Sequence, residues 1–155
     1  MNPFILAGCI GIVAGLRALT APALVSWAAH LGWLHLESTP LAFMGSTIAV
    51  AIFTIAAIVE YVTDQLPKTP ARTVPPQLIA RLVTGCLSAA CVAVSGGASL
   101  LAGVVPGAVG VLIGTFGGYK ARTGLVKALN VKDILIAIPE DLIAIVFGYW
   151  IVSPH

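Results

Sequence analysis

The chain has 155 residues, of which 59% are hydrophobic and only 9% charged, with a mean hydropathy of +1.03. An ordinary soluble domain is about a quarter charged, so this composition excludes a water-soluble fold and predicts an all-α integral membrane protein. A net charge of +2 scattered among apolar runs is no footprint for nucleic acid. Cys9, Cys86 and Cys91 are odd in number and have no neighbouring histidines. They read as small packing residues, not as a disulfide framework or metal site, and no cofactor is expected.

A helix needs roughly 20 apolar residues to span a bilayer. Five segments qualify, at 4–29, 41–63, 77–95, 99–119 and 133–152, which predicts about five transmembrane helices in one domain covering residues 1–155. Five crossings place the connections 64–76 and 120–132 on one side. These hold Lys68, Arg72, Lys120, Arg122, Lys127 and Lys132, with Arg81 just inside the third segment, and the other side has no Lys or Arg. Cytoplasmic loops carry the excess of basic residues. The N-terminus is therefore expected in the cytoplasm and the C-terminus outside. Trp27, Trp33 and Trp150 fall at outer ends, where indole favours the interface.

Glycines recur along the first segment (Gly8, Gly11, Gly15) and the fourth (Gly103, Gly107, Gly110, Gly114, Gly117, Gly118). Such small residues predict helices in close backbone contact, the main packing device where lipid removes the hydrophobic drive between helices. Residues 11–21 also align without gaps on 114–124. Gly11, Gly15, Ala18 and Thr20 match identically, and Arg17 meets Lys120. Each copy precedes a segment bearing a glutamate, Glu60 and Glu140. With five crossings the two halves have opposite orientation, an inverted repeat of spans 1–2 and 4–5 joined by a central helix. Secondary transporters recur to that plan, with their site near the midplane.

An ionised group inside a span costs at least about 2.5–3.5 kcal/mol, so it is paired, protonated or wetted. Arg17, Glu60, Glu140 and Asp141 are so embedded, and Asp64 follows Glu60 by one helical turn. Two pairings are open: Arg17 with Glu60 and Lys120 with Glu140, or the crossed pairs. They form either an ion or proton relay or structural salt bridges. Pro139 is a candidate helix opener just before Glu140 and Asp141. The proline-rich stretch 64–76 reads as a stiff inner loop whose Lys68 and Arg72, with Arg81, are candidates to hold an anion or lipid phosphate, or merely set topology. His30 and His35 read as interfacial residues.

Gly15-Leu16-Arg17-Ala18, Glu60 with Asp64 and Pro67, Thr69-Pro70 with Arg72, Lys120-Ala121 and Glu140-Asp141 together resemble a bacterial membrane family catalogued as domain of unknown function 4126. The resemblance covers most of the chain. It implies a small multi-span protein of the bacterial inner membrane and supplies no activity. Two functional expectations follow from the residues. One is a transporter or channel for an ion or small solute, with Arg17, Glu60, Asp64, Lys120, Glu140 and Asp141 lining the pathway in a homodimer, because five short spans alone enclose little volume. The other is a non-transport module that binds anionic lipid or a partner protein through residues 64–81.

Overall fold

The structure, a computed structural model, describes residues 1–66 and 68–154. Among the described residues seven α-helices follow one another: α1 (Pro3–Leu16), α2 (Thr20–His30), α3 (Thr47–Thr63), α4 (Pro75–Ser95), α5 (Leu100–Leu112), α6 (Gly118–Leu129) and α7 (Asp133–Val152), with a short 3-10 turn, Ala42–Gly45, before α3. A π turn, Ile113–Gly117, joins α5 to α6, so Leu100–Leu129 is one rod. No strand occurs among the described residues. Local chemistry starts most helices. Asn2 accepts the Phe4 N–H, Ser46 the Ala49 N–H and Ser99 the Ala102 N–H, while Pro75 and Pro76 fill the first turn of α4, where no N–H is needed. Asn130, left-handed at φ +50°, ends α6.

α1 lies at the centre and packs against α5, α4 and α7. The small residues make this possible. A Cβ on Gly11 would sit 2.2 Å from the Gly107 carbonyl oxygen, and one on Gly110 would sit 2.0 Å from that of Gly8. The backbones therefore touch, as the glycine spacing predicts. Large apolar side chains point outward instead, among them Ile48, Ile52 and Ile55 on α3 and Leu142 and Val146 on α7. An apolar exterior around a close-packed interior suits a lipid environment. Three helices, Pro75–Ser95, Leu100–Leu129 and Asp133–Val152, are long and apolar enough to cross a membrane, and α1 and α3 are shorter apolar helices.

The expectation that 4–29 is one span does not hold. α1 stops at Leu16, Arg17 is extended (φ −140°, ψ 111°), and α2 runs back the other way. Pro3 meets Gly96 at the end of α4, the His35 N–H donates to Ser95, and the Trp33 ring lies 5.9 Å from that of Tyr149. Both limbs of the α1–α2 hairpin thus begin and finish at one end of the bundle, and Arg17 lies at its tip near the other. The chain ends consequently share one end, where five crossings would separate them. Pro22 supplies a reason for the break, because a continuous helix would require its absent N–H to reach the Ala18 carbonyl. Pro139, by contrast, leaves α7 unbroken.

The α1 part of the first aligned copy, residues 11–16, runs in the same direction as the second copy, 114–124. Gly11 lies against Gly107 and Gly15 against Val111, so α1 and α5 are parallel neighbours. An inverted repeat would make these copies antiparallel. The rod does continue past Lys120, as the alignment requires.

Candidate functional site

The break in the first segment leaves backbone groups that lipid cannot satisfy. In an unbroken helix the Ala18 N–H would bond the Ala14 carbonyl, and the Leu19 N–H that of Gly15. Glu60, from α3, instead accepts both N–H groups through its two carboxylate oxygens, each at 2.8 Å. Arg81, from α4, donates from Nη1 to the two carbonyls, at 3.1 Å to Gly15 and 3.5 Å to Ala14. One acid and one base have taken the place of two helical hydrogen bonds. The Arg81 Nη2 lies 4.0 Å from the Glu60 carboxylate, which closes the arrangement. Thr115, in the π turn, adds a 3.4 Å hydrogen bond to the Gly15 carbonyl.

The break also delivers Arg17, fully buried, into a carboxylate pair. Its Nη1 bonds Asp64 at the end of α3, and its Nε and Nη2 reach Asp141 on α7. The guanidinium lies 5.7 Å from the Tyr61 ring centre, and the Tyr61 hydroxyl is hydrogen-bonded to Thr20 at the start of α2. Further toward the basic end, Arg72 holds Glu140 with two parallel bonds of 2.6 and 3.1 Å. Arg122 grips Asp133 from Nε at 2.8 Å and from Nη2, and reaches Glu140 at 3.4 Å. The network runs from the wholly buried Arg17 to Asp133, whose side chain is 61% exposed. Glu140 and Asp141, adjacent on α7, join its two halves.

All four arginines and five of the six acidic residues belong to this network, whereas Lys68, Lys120, Lys127 and Lys132 are exposed. The division follows from chemistry. The planar guanidinium matches carboxylates two bonds at a time and is more weakly hydrated than an ammonium, so it is the cation that tolerates burial.

Among the described residues three cavities adjoin the network, one of them an apolar pocket beside Arg122 and Glu140, and the other two flank the Glu60–Arg81 pair. The first of these two, of about 240 Å³, opens at the basic end and is lined by Asp64, Arg72, Arg81, Tyr119, Arg122 and Asp133, among others. The second, of about 370 Å³, is a mostly apolar groove on the helix flank, lined by Ala18, Ala56, Glu60, Gln77 and Thr84 among others. Arg81 borders the first and Glu60 the second, so this acid–base pair stands between them. No group of three His, Cys, Asp or Glu side chains suited to a metal occurs among the described residues.

The family model described as "Domain of unknown function (DUF4126)" matches residues 4–151. The chain belongs to this family. No curated protein and no solved structure matches it. In this DUF4126 chain, Arg17, Glu60, Asp64, Glu140 and Asp141 converge, but with partners other than those expected. Arg17 pairs with Asp64 and Asp141 where Glu60 or Glu140 was expected, because Glu60 is held by backbone N–H groups. Lys120 is exposed and outside the network, and Arg72 and Arg122 take its expected place beside Glu140. Of the three residues expected to hold an anion or lipid phosphate, Arg72 and Arg81 are buried beside carboxylates, and Lys68 is exposed apart from them. Pro67 lies outside the described residues. Arg122 and Asp133 were not singled out from the sequence. Their signal was an acid and an arginine flanking the Asn130 turn.

Proposed function

We propose that this protein is a small transporter or channel for an ion or polar solute, with the hairpin tip and its ion-pair network as the solute site. The observation that carries the reading is the interrupted helix at 17–19. Its free N–H groups and carbonyls are matched by Glu60 and Arg81 between two cavities. Half-helix ends that meet charged groups within apolar surroundings are the recurring device of solute sites in membranes. In the membrane arrangement that fits this reading, α3, α4, the α5–α6 rod and α7 cross the bilayer, and the α1–α2 hairpin enters and leaves from one side. At about 21 and 16 Å, α1 and α2 are shorter than a hydrocarbon core of roughly 30 Å. The lysine-bearing end faces the cytoplasm of a bacterial inner membrane, and both chain ends face outward.

Flux into proteoliposomes from a panel of inorganic ions, organic anions and amines tests the proposal. A solute should enter faster than into protein-free vesicles, and Glu60→Gln should abolish its entry while the protein stays monodisperse. If no solute enters, the proposal fails. One observation favours a second reading, a non-transport membrane module: every arginine already has a carboxylate within 4.0 Å. In that case Glu60→Gln lowers stability and nothing else.

A further inference from the structure

Three guanidiniums, those of Arg72, Arg81 and Arg122, line the cavity at the basic end together with two carboxylates, Asp64 and Asp133. A guanidinium carries five N–H donors. Arg72 donates once from each terminal nitrogen to Glu140. Arg81, only 2% exposed, donates from Nη1 to two carbonyls, but its Nε has no hydrogen-bond partner among the described residues. Its Nη2 lies 3.9 Å from Asp64 and 4.0 Å from Glu60, beyond hydrogen-bonding reach. A buried donor without an acceptor is costly, and Arg81, which carries one, borders this cavity.

We infer that this cavity is a binding site for a small oxyanion, a phosphate or sulfate group, held by Arg72, Arg81 and Arg122. The inference rests on the proposed function in one respect: it names the solute class of the charged centre. Three guanidiniums border one space of about 240 Å³, equivalent to about eight waters at ~30 Å³ each, enough for a tetrahedral anion with part of its hydration. Asp64 and Asp133 also border it, and each already carries a guanidinium, from Arg17 and Arg122 respectively. A metal cation finds no ligand cluster among the described residues, and the two carboxylates on the cavity wall are already paired with guanidiniums. An oxyanion meets planar forks suited to two bonds at once.

The test is calorimetric titration of the purified protein in neutral detergent with inorganic phosphate. A parallel titration uses short-chain phosphatidic acid, with phosphatidylcholine of the same chain length as the control. Saturable phosphate binding is expected, at least tenfold weaker in Arg122→Gln and in Arg72→Lys, which keeps the charge but loses the fork. Binding should be unchanged in Lys127→Gln. Binding of phosphatidic acid but not inorganic phosphate, with the same arginine dependence, assigns the site to a lipid headgroup and upholds the oxyanion chemistry. Failure of both ligands to bind the monodisperse protein overturns the inference, as does binding indifferent to Arg72 and Arg122. Glu60-dependent flux of some other solute without oxyanion binding would sink this inference alone. Oxyanion binding without any flux would sink the transport reading alone.

Discussion

At the centre of the bundle α1, α4 and α5 meet backbone to backbone through glycine and alanine, whereas at the basic end Asp64 and α7 reach the hairpin tip, and Arg72 and α6 reach α7, through arginine and carboxylate side chains. The first contact has no give, because a carbonyl oxygen cannot move aside without moving its helix. The second is made by long side chains with alternative partners: Asp64 lies near both Arg17 and Arg81, and Glu140 near both Arg72 and Arg122. Rigidity resides in the glycine seam, and any exchange of partners must occur at the charged end.

The strongest attack on this contrast is Gly11→Val, whose Cβ alone would lie 2.2 Å from the Gly107 carbonyl oxygen. Overpacking of this kind should cost about 3 kcal/mol or more, read as loss of monodisperse protein or a collapsed melting temperature in detergent. A mild effect would mean the seam can open. Arg17→Ala comes next, since it strands two carboxylates, Asp64 and Asp141. A loss of about 3–5 kcal/mol is expected in denaturant titration, with recovery when Asp64→Asn and Asp141→Asn are added. Absence of recovery would show that Arg17 acts through packing, not charge.

Glu60→Gln keeps the shape and replaces one acceptor by an amide NH₂ that confronts a backbone N–H. Its expected cost is about 1.5–3 kcal/mol, accompanied by faster hydrogen exchange at Ala18 and Leu19. Asp133→Asn should be the smallest change, about 0–1 kcal/mol, because its side chain is 61% exposed and water screens the pair with Arg122. A cost as large as that of Arg17→Ala would show the network to be a single cooperative unit.

The helices that were plain in the sequence are those whose hydropathy and caps agree. α4 and α7 lie within two residues of the segments read as 77–95 and 133–152. Hydropathy could not locate the turn at 17–19, because α1 and α2 are apolar on both sides of it and Arg17 looked like one charge within a single long span. Pro22 is the readable sign of that turn, because it lacks the N–H that a continuous helix would need there. Arg17, Glu60, Asp64, Glu140 and Asp141 are legible as one charged group, whereas Arg72 and Arg81 read as a separate group with Lys68, and Arg122 and Asp133 carry no such signal. Pairing within the first group depended on which way α1 and α2 run, and in a hairpin Glu60 meets backbone while Arg17 meets Asp64 and Asp141. The glycine seam needed no such directional knowledge, since small residues at helical spacing mark a close contact whichever way the helices point.

The α1–α2 hairpin is made before the helices that bury it. When α1 and α2 leave the ribosome, neither α5, against which the Gly11 backbone will rest, nor the carboxylates that will neutralise Arg17 exist yet. Asp64 arrives some fifty residues later and Asp141 well over a hundred. Burial of Arg17 between its two carboxylates therefore waits until α7 has been made.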